Sequence, residues 1–318
     1  MNRSLFAVPA CKVRRFPLQY PQKARGTYPM ICNLCPRMCA AERTATLGRG
    51  RCGMPSSPVV ARAALHHWEE PCLSGSRGSG AVFFSGCPLG CVYCQNGKIS
   101  HENFGRAVSV ERLREIFWEL IEQGAHNIDL VSPTQFAPAI REALEPPLPV
   151  PVIWNTGGYE RVETLRSLAG RVQIWLPDLK YADSGLAARL SGAPDYFDRA
   201  SAAILEMVRQ SGDYVMEDGL LKRGVLIRHL LLPGALENTK AVLDWVAKTF
   251  RPGQVLFSLM AQYTPQPGAE GLLRRRVTGG EYRAALRYME NLGITDGYCQ
   301  DAASARAEYT PSFDLTGV

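Results

Sequence analysis

Hydrophobic and polar positions fall into two regimes along this chain. Up to about residue 75 no period is sustained, and from residue 80 short apolar runs alternate with stretches of helical spacing. Residues 81–84 predict a first strand. Val110, Leu113, Ile116, Phe117, Leu120 and Ile121 then recur at the spacing of one helix face, with Ser109 as N-cap, Glu111 in the first turn and Gly124 as the stop. Further strands are predicted at 128–131, 151–154, 172–176, 225–231 and 255–258. Helices are expected at about 138–144, 160–168, 185–190, 198–211, 237–249 and 280–291. Six strands alternating with helices imply right-handed crossovers and a parallel sheet. Periodicity leaves open whether that sheet is doubly wound or bent into a partial or full barrel. Either way, ligands belong at the C-terminal ends of the strands.

Composition adds little to this α/β picture. Of 318 residues 46% are hydrophobic and 21% charged, an ordinary globular balance in a chain long enough to bury a core without staples. A net charge of +6 is spread along the chain, and its densest basic run, Arg274 to Arg276, is read as a solvated face and not a nucleic-acid site. No apolar run approaches the roughly 20 residues of a membrane span. The first eleven residues have a short apolar part with Pro9 where a signal peptide would be cut, so a cytoplasmic protein without a membrane partner is expected.

The ten cysteines change the picture, because they are clustered. Residues 1–30 read as an extended arm, 31–78 as a cysteine-rich metal or iron–sulfur module, and 79–318 as the α/β core with a C-terminal extension. Cys32, Cys35, Cys39 and Cys52 form one group; Cys87, Cys91 and Cys94 form another, directly after the first strand. Tight spacing in a chain without a signal points to metal or cluster binding and not to disulfides. Three thiolates within eight residues, with Gly86 and Gly90 letting the backbone turn, can hold a four-iron cluster and leave one iron open for a ligand. A zinc loop with a distant fourth ligand is the alternative. Four thiolates at Cys32–Cys52 saturate a site, either zinc or a second, electron-carrying cluster. Cys72 reads as a small buried hydrophobe, with an extra ligand or a redox thiol as alternatives; Cys11 and Cys299 have no assigned role.

Cys87-Pro-Leu-Gly-Cys91-Val-Tyr-Cys94 resembles the signature of the radical S-adenosylmethionine (SAM) superfamily, whose partial (β/α)6 barrel suits the six strand–helix pairs. Phe84-Ser-Gly-Cys-Pro-Leu and Tyr93-Cys-Gln-Asn resemble its pyruvate formate-lyase activating enzyme branch, in particular homologues with an extra N-terminal cysteine cluster. The resemblance implies a 4Fe-4S cluster and SAM as cofactors, and a 5′-deoxyadenosyl radical that abstracts hydrogen. It also implies a reductant such as a flavodoxin or ferredoxin, and a glycyl-radical-type protein substrate or else a small molecule or nucleic acid. A non-catalytic metal-binding interaction module is the reading from a different class.

The same resemblance places Tyr93 near an adenine. The family's Gly-Gly-Glu-Pro stretch falls at residues 131–136, where the acidic residue is missing and Ser132 and Thr134 stand instead. Asn155 and Thr156 end the third strand in an Asp-Thr-Asn-Gly-like segment, and Gly157-Gly-Tyr-Glu160 falls one strand too late to be the Gly-Gly-Glu motif. Asp178 and Lys180 end the fourth strand as cosubstrate contacts or as an internal ion pair. Arg228 and His229 interrupt the apolar fifth strand, with a satisfied core histidine as the competing role for His229.

Overall fold

The computed structural model describes residues 30–300 and 311–318. The predicted arm, apart from Met30, lies outside the described residues, and so does Cys11. Seven parallel strands carry the fold: β1 (Ser79–Phe84), β2 (Ile128–Val131), β3 (Val152–Thr156), β4 (Ile174–Pro177), β5 (Leu220–Leu230), β6 (Leu256–Met260) and β7 (Gly297–Cys299). The first six match the predicted strands. β7 has no alternating apolar face and was not legible in the sequence.

The helices fall between them: α1 (Val110–Glu122), α2 (Ala137–Ala143), α3 (Val162–Arg166), α4 (Ser184–Ser191), α5 (Tyr196–Ser211), α6 (Leu236–Thr249) and α7 (Gly279–Asn291). In α1 the Ser109 side chain accepts from the Arg112 N–H, and Leu113, Ile116, Phe117 and Leu120 are buried, as the spacing predicts.

Strand order settles what periodicity left open. β1 through β7 pair in chain order with no reversal. A doubly wound sheet needs a reversal point, where the strand order changes direction. Without one, right-handed crossovers put the helices on one face, which is the arrangement of a partial β/α barrel. The molecule is therefore a mixed α/β fold on an open, mainly parallel sheet.

The first edge is covered in a way the sequence did not suggest. Val59–His66, inside the predicted cysteine-rich module, pairs antiparallel with β1 and with the short strand Arg106–Ala107. Val59, Val60, Ala61 and Ala63 are buried there, so this segment belongs to the sheet and shields the β1 edge. The C-terminal residues close over it: the Ala63 N–H donates to Thr316 O at 2.8 Å, and Phe313 packs edge-on against Phe83 at 5.5 Å. Among the described residues no helix is long and apolar enough to cross a membrane.

Candidate functional site

β1 runs directly into the loop that carries Cys87, Cys91 and Cys94. Gly86 has φ 77°, and a methyl on it would come 2.9 Å from the Cys52 carbonyl oxygen, so glycine is required there. Buried Gln135 pins the loop from the turn after β2. Its amide nitrogen donates to the carbonyls of Ser85 (2.8 Å), Gly86 (3.0 Å) and Ser132 (2.8 Å). All three cysteines line one cavity of about 250 Å³ at the C-terminal ends of the strands. The Ser191 hydroxyl donates to Cys91 Sγ at 2.9 Å, and the Tyr181 hydroxyl lies 2.7 Å from both Ser191 Oγ and the Tyr93 hydroxyl.

Burial, reinforced by Cys91 and Cys94, pushes the Cys87 thiol up to about 12, and burial also raises Cys94. Thiols in such surroundings ionise when a cation sits among them. Among the described residues, however, no three His, Cys, Asp or Glu side chains converge on a position for one ion. Three soft donors facing one cavity fit an iron–sulfur cluster, whose irons each take one thiolate.

The rest of the wall is charged. Arg228 on β5 donates to Asp178 Oδ1 (3.0 Å), Glu69 Oε2 (3.0 Å) and Asn155 Oδ1 (2.6 Å). Lys180 Nζ reaches Asp178 Oδ2 at 2.6 Å. Burial opposes the charge on Asp178, yet Lys180 and Arg228 beside it hold its carboxyl below the usual range. Burial raises the carboxyl groups of Glu70 and Asp129 behind this network, and each leaves one oxygen without a hydrogen bond. Asp178 pairs with both Lys180 and Arg228, and Glu69 at 3.0 Å and Glu70 at 3.9 Å also face the Arg228 guanidinium.

Of the residues singled out in the sequence, Tyr93, Ser132, Asn155, Thr156, Asp178, Lys180 and Arg228 line the cavity with the three cysteines. Thr134 is buried and donates to Glu160 Oε1, bordering only a small adjoining cavity. His229 points away from the site: fully buried, it bonds Leu179 O (2.6 Å) and Thr239 Oγ1 (2.9 Å). Strand alternation explains the split, since Arg228 faces the cavity and its neighbour must face the opposite side. His229 is therefore a satisfied core residue and not a cosubstrate contact. Cys72 is buried in the short helix Pro71–Ser74 and does not line the cavity, and Cys299 is exposed on β7.

Sequence reasoning missed Glu69, Gln135, Asp129 and Glu160. Asp129 carried a signal, a charge inside an apolar strand; the others had none. Glu160 is buried and accepts from Thr134, Thr156 and the Trp154 indole, and burial raises its carboxyl to about 6. The turn after β3 thereby brings a carboxyl group beside Thr134, in the turn where residues 131–136 have none.

Cys32, Cys35 and Cys39 lie on a hairpin of Met30–Cys32 and Ala41–Arg43, and Cys52 follows in the turn Gly50–Gly53. Arg37 fastens the hairpin to the core, donating to Pro88 O (2.8 Å), Leu89 O (3.3 Å), Ser191 O (2.7 Å) and Gly192 O.

No family model matches the chain. Uncharacterized protein MJ0674 of Methanocaldococcus jannaschii is 27% identical over 275 residues, covering 83% of this chain and 75% of that protein. Among solved structures, Streptococcus suis SuiB bound to S-adenosylmethionine superposes with a TM-score of 0.46 at 13% identity, over 68% of this chain and 48% of SuiB. The chain thus spans about half the length of SuiB. A domain of pyruvate-formate lyase-activating enzyme from Bacteroides vulgatus gives a TM-score of 0.34 at 15% identity, over 60% of this chain and 91% of that domain. QueE from Escherichia coli gives 0.40 at 11% identity, over 77% and 93%.

Proposed function

We propose that this chain is a radical SAM enzyme whose cluster is held by Cys87, Cys91 and Cys94. One observation carries the reading: three thiols on a single loop at the end of the first parallel strand open onto the same cavity. A four-iron cluster held by Cys87, Cys91 and Cys94 would supply the one-electron reduction of a sulfonium that radical hydrogen abstraction requires.

The chain's own share is positioning. Gln135 fixes the loop against the turn after β2, which would hold the three thiols in one orientation. Lys180 and Arg228 offer cations to the methionine carboxylate, while Ser132, Asn155 and Thr156 offer neutral polar groups for its amino group and ribose. Tyr93, buried and aromatic, forms an apolar wall for the adenine. The polar network at Asp178 keeps both cations charged in a site shielded from water.

The Tyr93-Cys-Gln-Asn and Phe84-Ser-Gly segments extend the reading to a protein substrate on which a glycyl radical is installed. Anaerobic reconstitution with iron and sulfide, then incubation with SAM and dithionite, is expected to yield 5′-deoxyadenosine and methionine. Cys91→Ala should lower that yield at least about a hundredfold, in keeping with loss of a cofactor ligand. A wild-type protein that binds zinc and leaves SAM intact would refute the proposal.

A further inference from the structure

Part of the cavity wall has no role in the chemistry proposed so far. His66, Trp68 and Glu69, on and just after the strand Val59–His66, form it together with Phe83 of β1. His66 and Phe83 meet edge-on with ring centroids 6.0 Å apart, and Trp68 is 62% exposed. Burial, with His67 and Arg62 nearby, lowers His66 to about 4. At neutral pH its ring is therefore uncharged and adds an aromatic surface, not a cation.

Acid lies behind this wall in excess of the cations that face it. Asp129 stands two residues before Val131 on β2, so strand alternation turns it to the cavity side, one step deeper than Val131, which lines it. Asp129 is 0% exposed, and its Oδ1 has no hydrogen-bond partner among the described residues. Burial first, then the Glu69 carboxylate beside it, raises Asp129 well above the usual carboxylate range. Glu69, Glu70, Asp129 and Asp178 thus set four carboxyl groups against two cations, Lys180 and Arg228. SAM carries an ammonium, a sulfonium and a carboxylate, so binding it adds a single net positive charge and still leaves acid in excess. A buried carboxyl group without a counter-ion keeps a proton, or gives it up when a ligand brings a cation. Of the four, Glu69 and Asp178 line the cavity, and Asp178 is engaged by both cations. Glu69 is the acid next to the aromatic wall.

We propose that this wall binds a cationic group of the substrate, an ammonium or guanidinium on an alkyl chain, with Glu69 as counter-ion and Trp68, His66 and Phe83 as its flank. Charge pairing and the ring faces then act on the same ion, while the rings also cover its methylene stem. The same excess of acid turns anionic substrates away. That the cation belongs to the substrate rests on the proposed function; that the wall takes a cation does not.

The test is calorimetric binding to the anaerobically reconstituted full chain, with SAM present and no reductant. The probes are butylammonium against butanol, and N-acetyl-lysine methylamide against its 6-hydroxynorleucine analogue, each pair differing mainly in charge. Each cation should bind about tenfold or more tightly than its alcohol, the scale of a charge-assisted hydrogen bond. Tighter binding of the lysine derivative than of butylammonium identifies a peptide as the source of the cation, and the reverse a small amine. Glu69→Gln should abolish the preference, Glu69→Asp should keep it, and Trp68→Leu should weaken the cations more than the alcohols. Equal binding of cation and alcohol to the wild type, or no binding of either cation, overturns the inference. So does a preference undiminished in Glu69→Gln, even where that variant binds SAM more weakly, because Glu69 then serves the cosubstrate. Should thermal melting show Glu69→Gln unfolded, the wild-type comparison and Trp68→Leu decide. A protein that prefers the cations but leaves SAM intact once dithionite is added refutes the proposed function while the cation site stands.

Discussion

Arg228 and His229 are neighbours on one strand with opposite fates, and the difference has a measurable consequence. Arg228 joins the charged network of the cavity, while His229 is enclosed on the other face, where burial lowers its pKa from 6.5 to about 4. Leu179 O can only accept, so Nδ1 of His229 carries the proton and Nε2 accepts from the Thr239 hydroxyl. A base whose folded pKa is depressed is neutral in the native state while the unfolded chain takes up a proton. Stability is therefore full above about pH 6.5 and falls as pH drops towards 4, by about 3 kcal/mol over that window. His229→Gln is expected to flatten this slope, checked by urea unfolding at pH 5 and pH 7.5. An unchanged slope would place the titration elsewhere. Which of two adjacent polar residues faced the site was not legible in the sequence, because strand phase is decided by the sheet.

Among the elements, α1 shows how far local pattern reaches. Its cap, first-turn acid and buried stripe were all legible, since each depends on residues three or four positions apart. Phe117, fully buried, should cost about 3–5 kcal/mol on truncation to Ala, whereas Ser109→Ala should cost about 1 kcal/mol. Shifts in denaturation midpoint check both, and equal effects would contradict this division between core and cap. Val59–His66 is the counterexample. Its apolar run is clear, but its place beside β1 follows from the need to cover a sheet edge, and no local period encodes that.

At the scale of the whole molecule, Arg37 ties the hairpin to the loop that carries Cys87, Cys91 and Cys94. Arg37 makes that contact through four backbone carbonyls from two separate segments. Arg37→Ala is expected to loosen the hairpin, raising hydrogen exchange together at residues 31–54 and 88–92 while leaving β2 to β4 protected. Exchange confined to the hairpin would show that the loop does not depend on it.

By itself the sequence determined six strands, their alternation with helices and the two groups of thiols, because strand and helix periods and cysteine spacing are short-range properties. Only the tertiary structure decided the sheet's single winding direction and the burial of His229. It also decided the union of Glu69, Asn155, Asp178 and Arg228 in one network and the contact between Gly86 and Cys52. Those relations join residues far apart in the chain, and they exist only once strand pairing and core packing have brought the segments together.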